Sequence, residues 1–207
     1  MYKTLFPLVL IGTAFAATAE TGQPLDVSAL PEPGSIEASD GLAAWDRIHD
    51  VASHPRCLNC HVGEDGIPLW GTVAEPDRPH GMAIVAGDSR IGAAGLSCRT
   101  CHQTSTRPNR VEHAAPHTGM DWQLAPVDFQ WVGRTSAEIC QQMRDPDRNG
   151  GRDAAGLVEH ILHDAELIGF ITWSFDPGAG RAPAPGSLQS HLEDMAIWTA
   201  AGMPCPQ

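Results

Sequence analysis

The chain has 207 residues and a formal net charge of −12, with 13 basic against 25 acidic residues. This acidic balance argues against binding to nucleic acid or to anionic membrane surfaces. The length suits one domain, or two small ones that share a core. The 17 prolines and 21 glycines argue against a long sheet or a regular helix bundle. We therefore expect a mainly α-helical chain with much irregular coil and little or no β-sheet.

The N-terminus has the pattern of an export signal. Lys3 supplies a positive charge, an apolar stretch runs from Leu5 to Phe15, and small residues form a cleavage site after Ala19. A retained membrane anchor is the alternative, which the shortness of the apolar stretch disfavours. We expect residues 1–19 to be removed, which gives a periplasmic protein without a membrane span. Lys3 is the only lysine, so the mature chain carries 12 arginines against 25 acidic residues, a net charge of −13.

Residues 20–41 predict an extended arm, because Pro and Gly interrupt any periodic pattern there. Asp40 is a candidate N-cap for a helix whose apolar positions, Leu42, Trp45 and Ile48, recur at intervals of three. This helix leads directly into the first of two cysteine motifs.

The pentapeptides at 57–61 and 98–102 both read Cys-x-x-Cys-His. Haem is attached to this sequence in c-type cytochromes, because two thiols three positions apart can form thioethers to one porphyrin while the adjacent imidazole binds its iron. Two copies predict two covalent haems c. The expected thioether residues are Cys57, Cys60, Cys98 and Cys101, and the expected proximal ligands are His61 and His102.

Two other kinds of site use the same cysteine spacing. The four thiols could form one tetrahedral zinc site, or a pair could be a thioredoxin-like redox motif. Zinc does not require a His after both pairs, and no βαβ pattern surrounds either motif. The export signal also favours haem, since covalent attachment takes place outside the cytoplasm.

The second motif begins 41 residues after the first, which leaves too little chain for a separate single-haem domain with His/Met ligation. This arrangement is similar to the small dihaem subunit of periplasmic nitrate reductases, in which a His lies between the two motifs. The resemblance implies two His ligands for each iron. We expect the distal ligands to be His80 and His117. The alternatives are Met82 in place of His80, His113 or Met120 in place of His117, and His49 or His54 before the first motif.

Beyond residue 121 the pattern becomes apolar and then helical. Residues 122–132, here called the connector, are expected to pack over a haem face. Thr135 and Glu138 form a capping box, and Asp153 and Ser187 are N-caps of two further helices. These patterns predict a helical C-terminal region.

Cys140 and Cys205 lie outside the two motifs. In an oxidising compartment such a leftover pair forms a disulfide, which here would attach the tail to the helix capped by Thr135. The chain then divides into a signal peptide at 1–19, a dihaem region at 20–125 and a helical region at 126–207.

Several C-terminal stretches resemble one family. They are Met143–Asp153 (MRDPDRNGGRD), Leu157–His160, Phe170–Trp173, the loop 176–186 and the segment Gly202–Pro206. With the dihaem region they resemble exported bacterial proteins labelled as an isoquinoline 1-oxidoreductase subunit, over most of the mature chain. The resemblance implies an electron-accepting cytochrome that serves a molybdenum hydroxylase. It does not imply isoquinoline chemistry in this chain, because four of the six cysteines are assigned to haem and no iron–sulfur set is left.

Three functions are then considered. The first is a periplasmic electron-transfer subunit or shuttle, with no catalytic site of its own, that docks a basic face of a redox partner protein. The second is a haem enzyme of the peroxidase or nitrite reductase type, which needs an open iron position. The third is a haem-based sensor or binding module. The two motifs and the acidic charge favour the first.

Overall fold

The computed structural model describes residues 24–93, 95–103, 111–115, 122–178 and 180–207. These residues form six α-helices and one two-stranded antiparallel sheet, which confirms the prediction of a mainly helical chain with little β-structure. The helices are α1 (Ala38–Ala52), α2 (Pro55–Leu58), α3 (Ser136–Arg144), α4 (Ala154–Leu167), α5 (Phe170–Phe175) and α6 (Leu188–Ala200). The strands are β1 (Gly92–Ala93) and β2 (Leu96–Ser97).

Helices α1 and α6 form the centre of the hydrophobic core. Trp45 of α1 and Trp198 of α6 are fully buried, with ring centroids 5.1 Å apart. The Trp45 indole N–H donates to the Ser136 hydroxyl at 2.8 Å, and that of Trp198 donates to the Pro204 carbonyl at 2.9 Å. Neither ring therefore leaves a buried donor unsatisfied, and both contribute their large apolar surface to the core.

Helix α1 begins earlier than the sequence pattern indicates. Its N-cap is Glu37, so the prediction that Asp40 caps this helix is wrong. Asp40 lies in the first turn, where a carboxylate still interacts favourably with the helix dipole. Gly41, in the same turn, lies against the end of α6, where a Cβ would collide with the side chain of Ala201. This close approach is a tertiary contact, which a local pattern does not contain.

The three predicted C-terminal helices form with their predicted caps. Thr135 and Glu138 make a reciprocal capping box at the start of α3. The Asp153 carboxylate accepts a hydrogen bond from the Gly156 N–H at 2.8 Å at the start of α4, and Ser187 caps α6. Each cap satisfies backbone donors that the first helical turn leaves without partners.

Helix α5 was not predicted, because its capping group belongs to the preceding helix. The buried carboxylate of Asp164, on α4, accepts from the N–H groups of Ile171 and Thr172 and from the Thr172 hydroxyl. Ile168 ends α4 in the left-handed conformation, with φ of 52°. The chain can therefore turn back, and α5 packs against α4.

Cys140 and Cys205 form a disulfide with Cα atoms 5.7 Å apart, which confirms the predicted pairing. Cys140 is fully buried on α3, so the bond attaches the C-terminal tail to the core. The bond closes a loop that contains α4, α5 and α6.

Within the described residues, no helix is both long and apolar enough to cross a membrane. The predicted signal peptide at 1–19 lies outside them. The division of the mature chain at residue 126 remains a prediction. In the structure, α1 from the first of those two regions packs against α6 from the second.

We predict that removing the disulfide lowers the stability of the fold. The chain-entropy account assigns about 4 kcal/mol to a loop of this length. Cys205→Ala should therefore lower the free energy of unfolding in urea by about 4 kcal/mol, and the reduced wild-type protein should unfold at the same urea concentration as the variant. An unchanged unfolding midpoint in Cys205→Ala would contradict this.

Candidate functional site

The first motif begins in the short helix α2. His54 is its N-cap, and the Nδ1 atom of this residue accepts a hydrogen bond from the Arg56 N–H at 3.2 Å. The Cys57 carbonyl then accepts hydrogen bonds from the N–H groups of Cys60 and His61, both at 3.2 Å. Positions i, i+3 and i+4 of such a turn share one face. The two thiols and the imidazole therefore project from the same side of the turn.

The second motif folds in the same way, in a 3₁₀ turn over Cys98–Thr100. The Cys98 carbonyl accepts from the N–H groups of Cys101 at 3.2 Å and His102 at 2.9 Å. The β1–β2 hairpin precedes this turn, and the Cys98 N–H donates to the Ile91 carbonyl at 3.1 Å. Both pentapeptides thus present two thiols and one imidazole in a common arrangement.

The side chain of His61 is held in one orientation and one protonation state. Its Nδ1 atom lies 3.0 Å from the Phe129 carbonyl, which only accepts hydrogen bonds, so Nδ1 carries the hydrogen. The ring stacks on Trp131 with centroids 3.6 Å apart and planes 6° from parallel. Burial lowers the pKa of His61 to about 4, so the ring is neutral at pH 7. A neutral imidazole with Nδ1–H bound to a carbonyl is the form in which Nε2 ligates a metal.

At the second motif, His102 lies between an aromatic ring and a second imidazole. It stacks on Trp122 with centroids 4.4 Å apart, and the ring centroid of His80 lies 5.9 Å away. Two imidazoles that bind one metal ion from opposite sides have ring centres roughly 6 Å apart, because each metal–nitrogen bond is about 2 Å long. The His80 Nδ1 donates to the Gly81 carbonyl at 2.7 Å, which leaves Nε2 as the nitrogen that could bind a metal. The alternative ligand Met82 has 86% of its surface exposed.

The connector makes backbone hydrogen bonds to the first motif and to the loop that precedes the second motif. The Ala125 N–H donates to the Cys60 carbonyl at 3.2 Å, and the Leu124 N–H donates to the Arg90 carbonyl at 2.9 Å. The Trp131 N–H donates to the His61 carbonyl at 2.9 Å. The same segment also supplies Trp131 and Trp122, the two rings on which the motif histidines stack. One stretch of chain therefore positions both sites.

The buried side chain of Arg90 stabilises this arrangement. Its side chain donates to three backbone carbonyls, those of Ala125 at 2.9 Å, Gly63 at 2.8 Å and Val62 at 2.7 Å. The residue is 5% exposed, and its own backbone is left-handed, with φ of 62°. The guanidinium thus joins the loop after the first motif to the connector.

The remaining predicted ligands have different surroundings. His117 and its alternative Met120 lie outside the described residues. His113 is 3% exposed, and neither of its buried ring nitrogens has a hydrogen-bond partner. His54 lies 5.1 Å from His113 between ring centroids, but its Nδ1 is occupied by the Arg56 N–H. His113 is therefore a buried alternative whose ring nitrogens make no hydrogen bond, with Nδ1 lying 4.0 Å from the Glu112 carboxylate.

The described residues form no separate metal site beside the two motifs. No group of three or more His, Cys, Asp or Glu side chains is gathered there in a way that could hold a metal ion. A groove of about 470 Å³ lies beside the first motif, with Val62, Leu69, Val132, Arg134 and Arg148 in its wall. None of the described motif cysteines or histidines lines this groove, so it is adjacent to the candidate site and not part of it.

Comparison with protein families, curated proteins and solved structures finds no match to this chain.

The sequence pattern identified the motifs but not the residues that support them. The stacking of His61 on Trp131 and the hydrogen bond to the Phe129 carbonyl join residues about 70 positions apart. The connector had been expected to pack near a haem, yet no spacing rule pairs its aromatic residues with particular histidines. Only one sequence feature could have pointed to Arg90, which is its position as an arginine in an otherwise Gly-rich stretch of an acidic chain.

The four motif thiols differ in their surroundings. Burial raises the pKa of Cys57 to about 12 and that of Cys60 to about 11. Burial also raises the pKa of Cys98. Cys101, in contrast, is exposed, and none of the four is disulfide-bonded. The first motif is therefore half-buried throughout, whereas the second is exposed to solvent at Cys101.

We predict unequal thiol reactivity in protein produced without haem attachment. A thiol with a pKa of about 12 is ionised to roughly one part in 10⁴ at pH 8, and the thiolate is the reactive form. Iodoacetamide should therefore modify Cys101 well before Cys57 and Cys60, as followed by peptide mass spectrometry. The same protein in urea, where all four thiols are exposed, is the control. Equal rates of iodoacetamide modification at Cys57 and Cys101 in the folded protein would contradict the greater burial of the first motif.

Proposed function

We propose that this protein is a periplasmic dihaem c-type cytochrome that transfers electrons as an accepting subunit or shuttle for an oxidoreductase. The observation that carries the proposal is the backbone geometry common to both Cys-x-x-Cys-His motifs, in which one carbonyl accepts from the second Cys and from the His. In each motif the imidazole also stacks on a tryptophan. Such packing fixes the orientation of a ligand before it binds.

Each motif residue then has a defined role. The thiols of Cys57 and Cys60 would hold one haem as thioethers, and those of Cys98 and Cys101 the other. His61 and His102 would be the proximal ligands. Bound haem supplies one-electron chemistry at its iron, while the protein orients the ligands and controls access of water. The fit of the residues to haem is clearest at His61. Its Nδ1–H donates to the Phe129 carbonyl, so the lone pair of Nε2 is available to bind the iron.

The distal ligands are assigned separately for the two sites. At the second motif we assign His80, because its ring centroid lies 5.9 Å from that of His102. At the first motif His117 remains the assignment from the sequence. The competing residue that the structure describes is His113, because both of its ring nitrogens are buried without a hydrogen-bond partner. A buried imidazole in this state gains most from binding an iron.

The partner would be a redox protein with a basic docking face. The mature chain has a net charge of −13, which steers association with a positively charged surface and makes the association rate sensitive to salt. The family resemblance suggests a molybdenum hydroxylase as this partner. Export follows from the predicted signal peptide at 1–19.

We predict two haems c per chain after export in a bacterial host that attaches haem. The pyridine haemochrome absorbance measures this number. We also expect no immediate binding of carbon monoxide to the reduced protein, because each iron has two protein ligands. Prompt binding at one iron would indicate an enzyme or sensor with an open position. Fewer than two haems would contradict the proposal itself.

We further predict that His80→Ala opens one of the two irons. The variant should bind carbon monoxide at about half of its haems, because only the second motif loses a ligand. Met82→Ala is the matched control in the same loop and should behave like the wild type, since the Met82 side chain is 86% exposed. If the variant resembles the wild type in carbon monoxide binding, His80 is not the distal ligand.

A further inference from the structure

Buried charge in the described residues is mostly positive. Four charged residues are buried there, namely Arg56, Arg90, Asp164 and Arg181. The Asp164 carboxylate is engaged by the N-terminus of α5. Arg56 and Arg90 both contact the region of the first motif. Burying a charge is costly unless protein groups solvate it well. The burial of Arg56 and Arg90 beside the first motif therefore needs a physical explanation.

Arg90 keeps its positive charge although its hydrogen bonds are satisfied. Its three acceptors are backbone carbonyls, whose dipoles stabilise the guanidinium without cancelling its charge. No ion pair of the described residues includes Arg90. The charge lies beside the first motif, because two of its three acceptors are the carbonyls of Val62 and Gly63, the residues that follow His61.

Arg56 is a second charge of the same kind. It immediately precedes Cys57, is 9% exposed and donates to the backbone carbonyls of Ala182 at 2.8 Å and Glu112 at 2.9 Å, and to that of Ala114. It also takes part in no ion pair of the described residues. Two guanidinium groups without an ion-pair partner among the described residues therefore lie beside the first motif, and the charges of Asp65 and Glu112 act on Arg90 and Arg56 from a longer distance.

The two arginines that the structure describes near the second motif, Arg78 and Arg99, are at the surface. Arg78 has 51% of its side chain exposed, lies 4.7 Å over the Trp70 ring and pairs loosely with Glu75 at 4.0 Å. Arg99, within the second motif, is exposed as well. Water and salt screen charges in such positions far more than buried ones. The two motifs therefore differ in electrostatic surroundings although their backbones are alike.

We propose that Arg56 and Arg90 raise the reduction potential of the haem at the first motif above that of the haem at the second. Loss of an electron adds one positive charge to a haem, so a nearby buried cation disfavours the oxidised form. The inference rests on the proposed function. It makes the half-buried first motif the place where an electron is held. The more exposed second motif is then the place where electrons are exchanged with a partner.

The test is a redox titration of the exported, haem-loaded protein followed by absorbance. Arg90→Gln removes the charge and should lower one midpoint potential while the other stays unchanged. Arg56→Gln should lower the same midpoint, and it keeps the inference testable if Arg90→Gln does not fold. Arg90→Lys retains the charge and should restore most of the lost potential. A residue with a purely structural role would not show this rescue.

Two controls make the assignment specific. Arg47→Gln removes an exposed arginine that pairs with Asp194 at 2.6 Å on the α1–α6 surface, and it should leave both midpoints unchanged. In a His80→Ala background the haem at the second motif is marked by carbon monoxide binding, so the arginine substitutions should shift the unmarked haem.

The outcomes separate this inference from the proposed function. Two haems with midpoints that neither Arg90→Gln nor Arg56→Gln changes would overturn the inference alone. A shift in the haem marked by carbon monoxide, or an equal shift in Arg90→Lys and Arg90→Gln, would also overturn it. Fewer than two haems in the wild-type protein would overturn the proposed function together with the inference.

Discussion

The contact between the connector and the Arg90 guanidinium joins the first motif to the loop that leads to the second motif. This one side chain donates to the loop that follows His61 and to the carbonyl of Ala125. The connector in turn donates to the carbonyls of Cys60 and Arg90. Neither motif has enough regular structure of its own to fix its position, so this network substitutes for the sheet or helix bundle that other proteins use.

The helical core provides the fixed support for this network. Helix α1 packs through Trp45 on α6 and delivers the chain to His54, two residues after its end. The disulfide attaches the tail to α3, and α3 follows the connector almost directly. The first motif is therefore attached to segments that are anchored in the core, whereas the second is carried by a hairpin with strands of two residues each and by surrounding loops.

Under the proposed function, the same backbone turn in two environments would give one cofactor two behaviours. At the first motif, burial removes water and leaves the arginine charges poorly screened. At the second, exposed side chains such as Cys101 and Leu96 surround the turn, and solvent screens charge there. Under the proposed function, an acidic surface would bring a partner to the chain, and local burial would then decide where the electron resides.

The sequence alone determined the features that depend on local spacing or on residue type. The turn of each Cys-x-x-Cys-His motif, the caps at Thr135, Asp153 and Ser187, and the Cys140–Cys205 pairing belong to this group. A cap or a motif acts within four residues, and the two leftover cysteines had only each other to pair with.

Only the tertiary structure decided which distant groups meet. It placed the start of α1 at Glu37, formed α5 on the Asp164 carboxylate, stacked His61 on Trp131 and brought His80 to His102. These contacts join residues through chain folding, so they depend on packing and on the hydrogen-bond partners that buried groups require. No periodicity along the chain encodes such pairs.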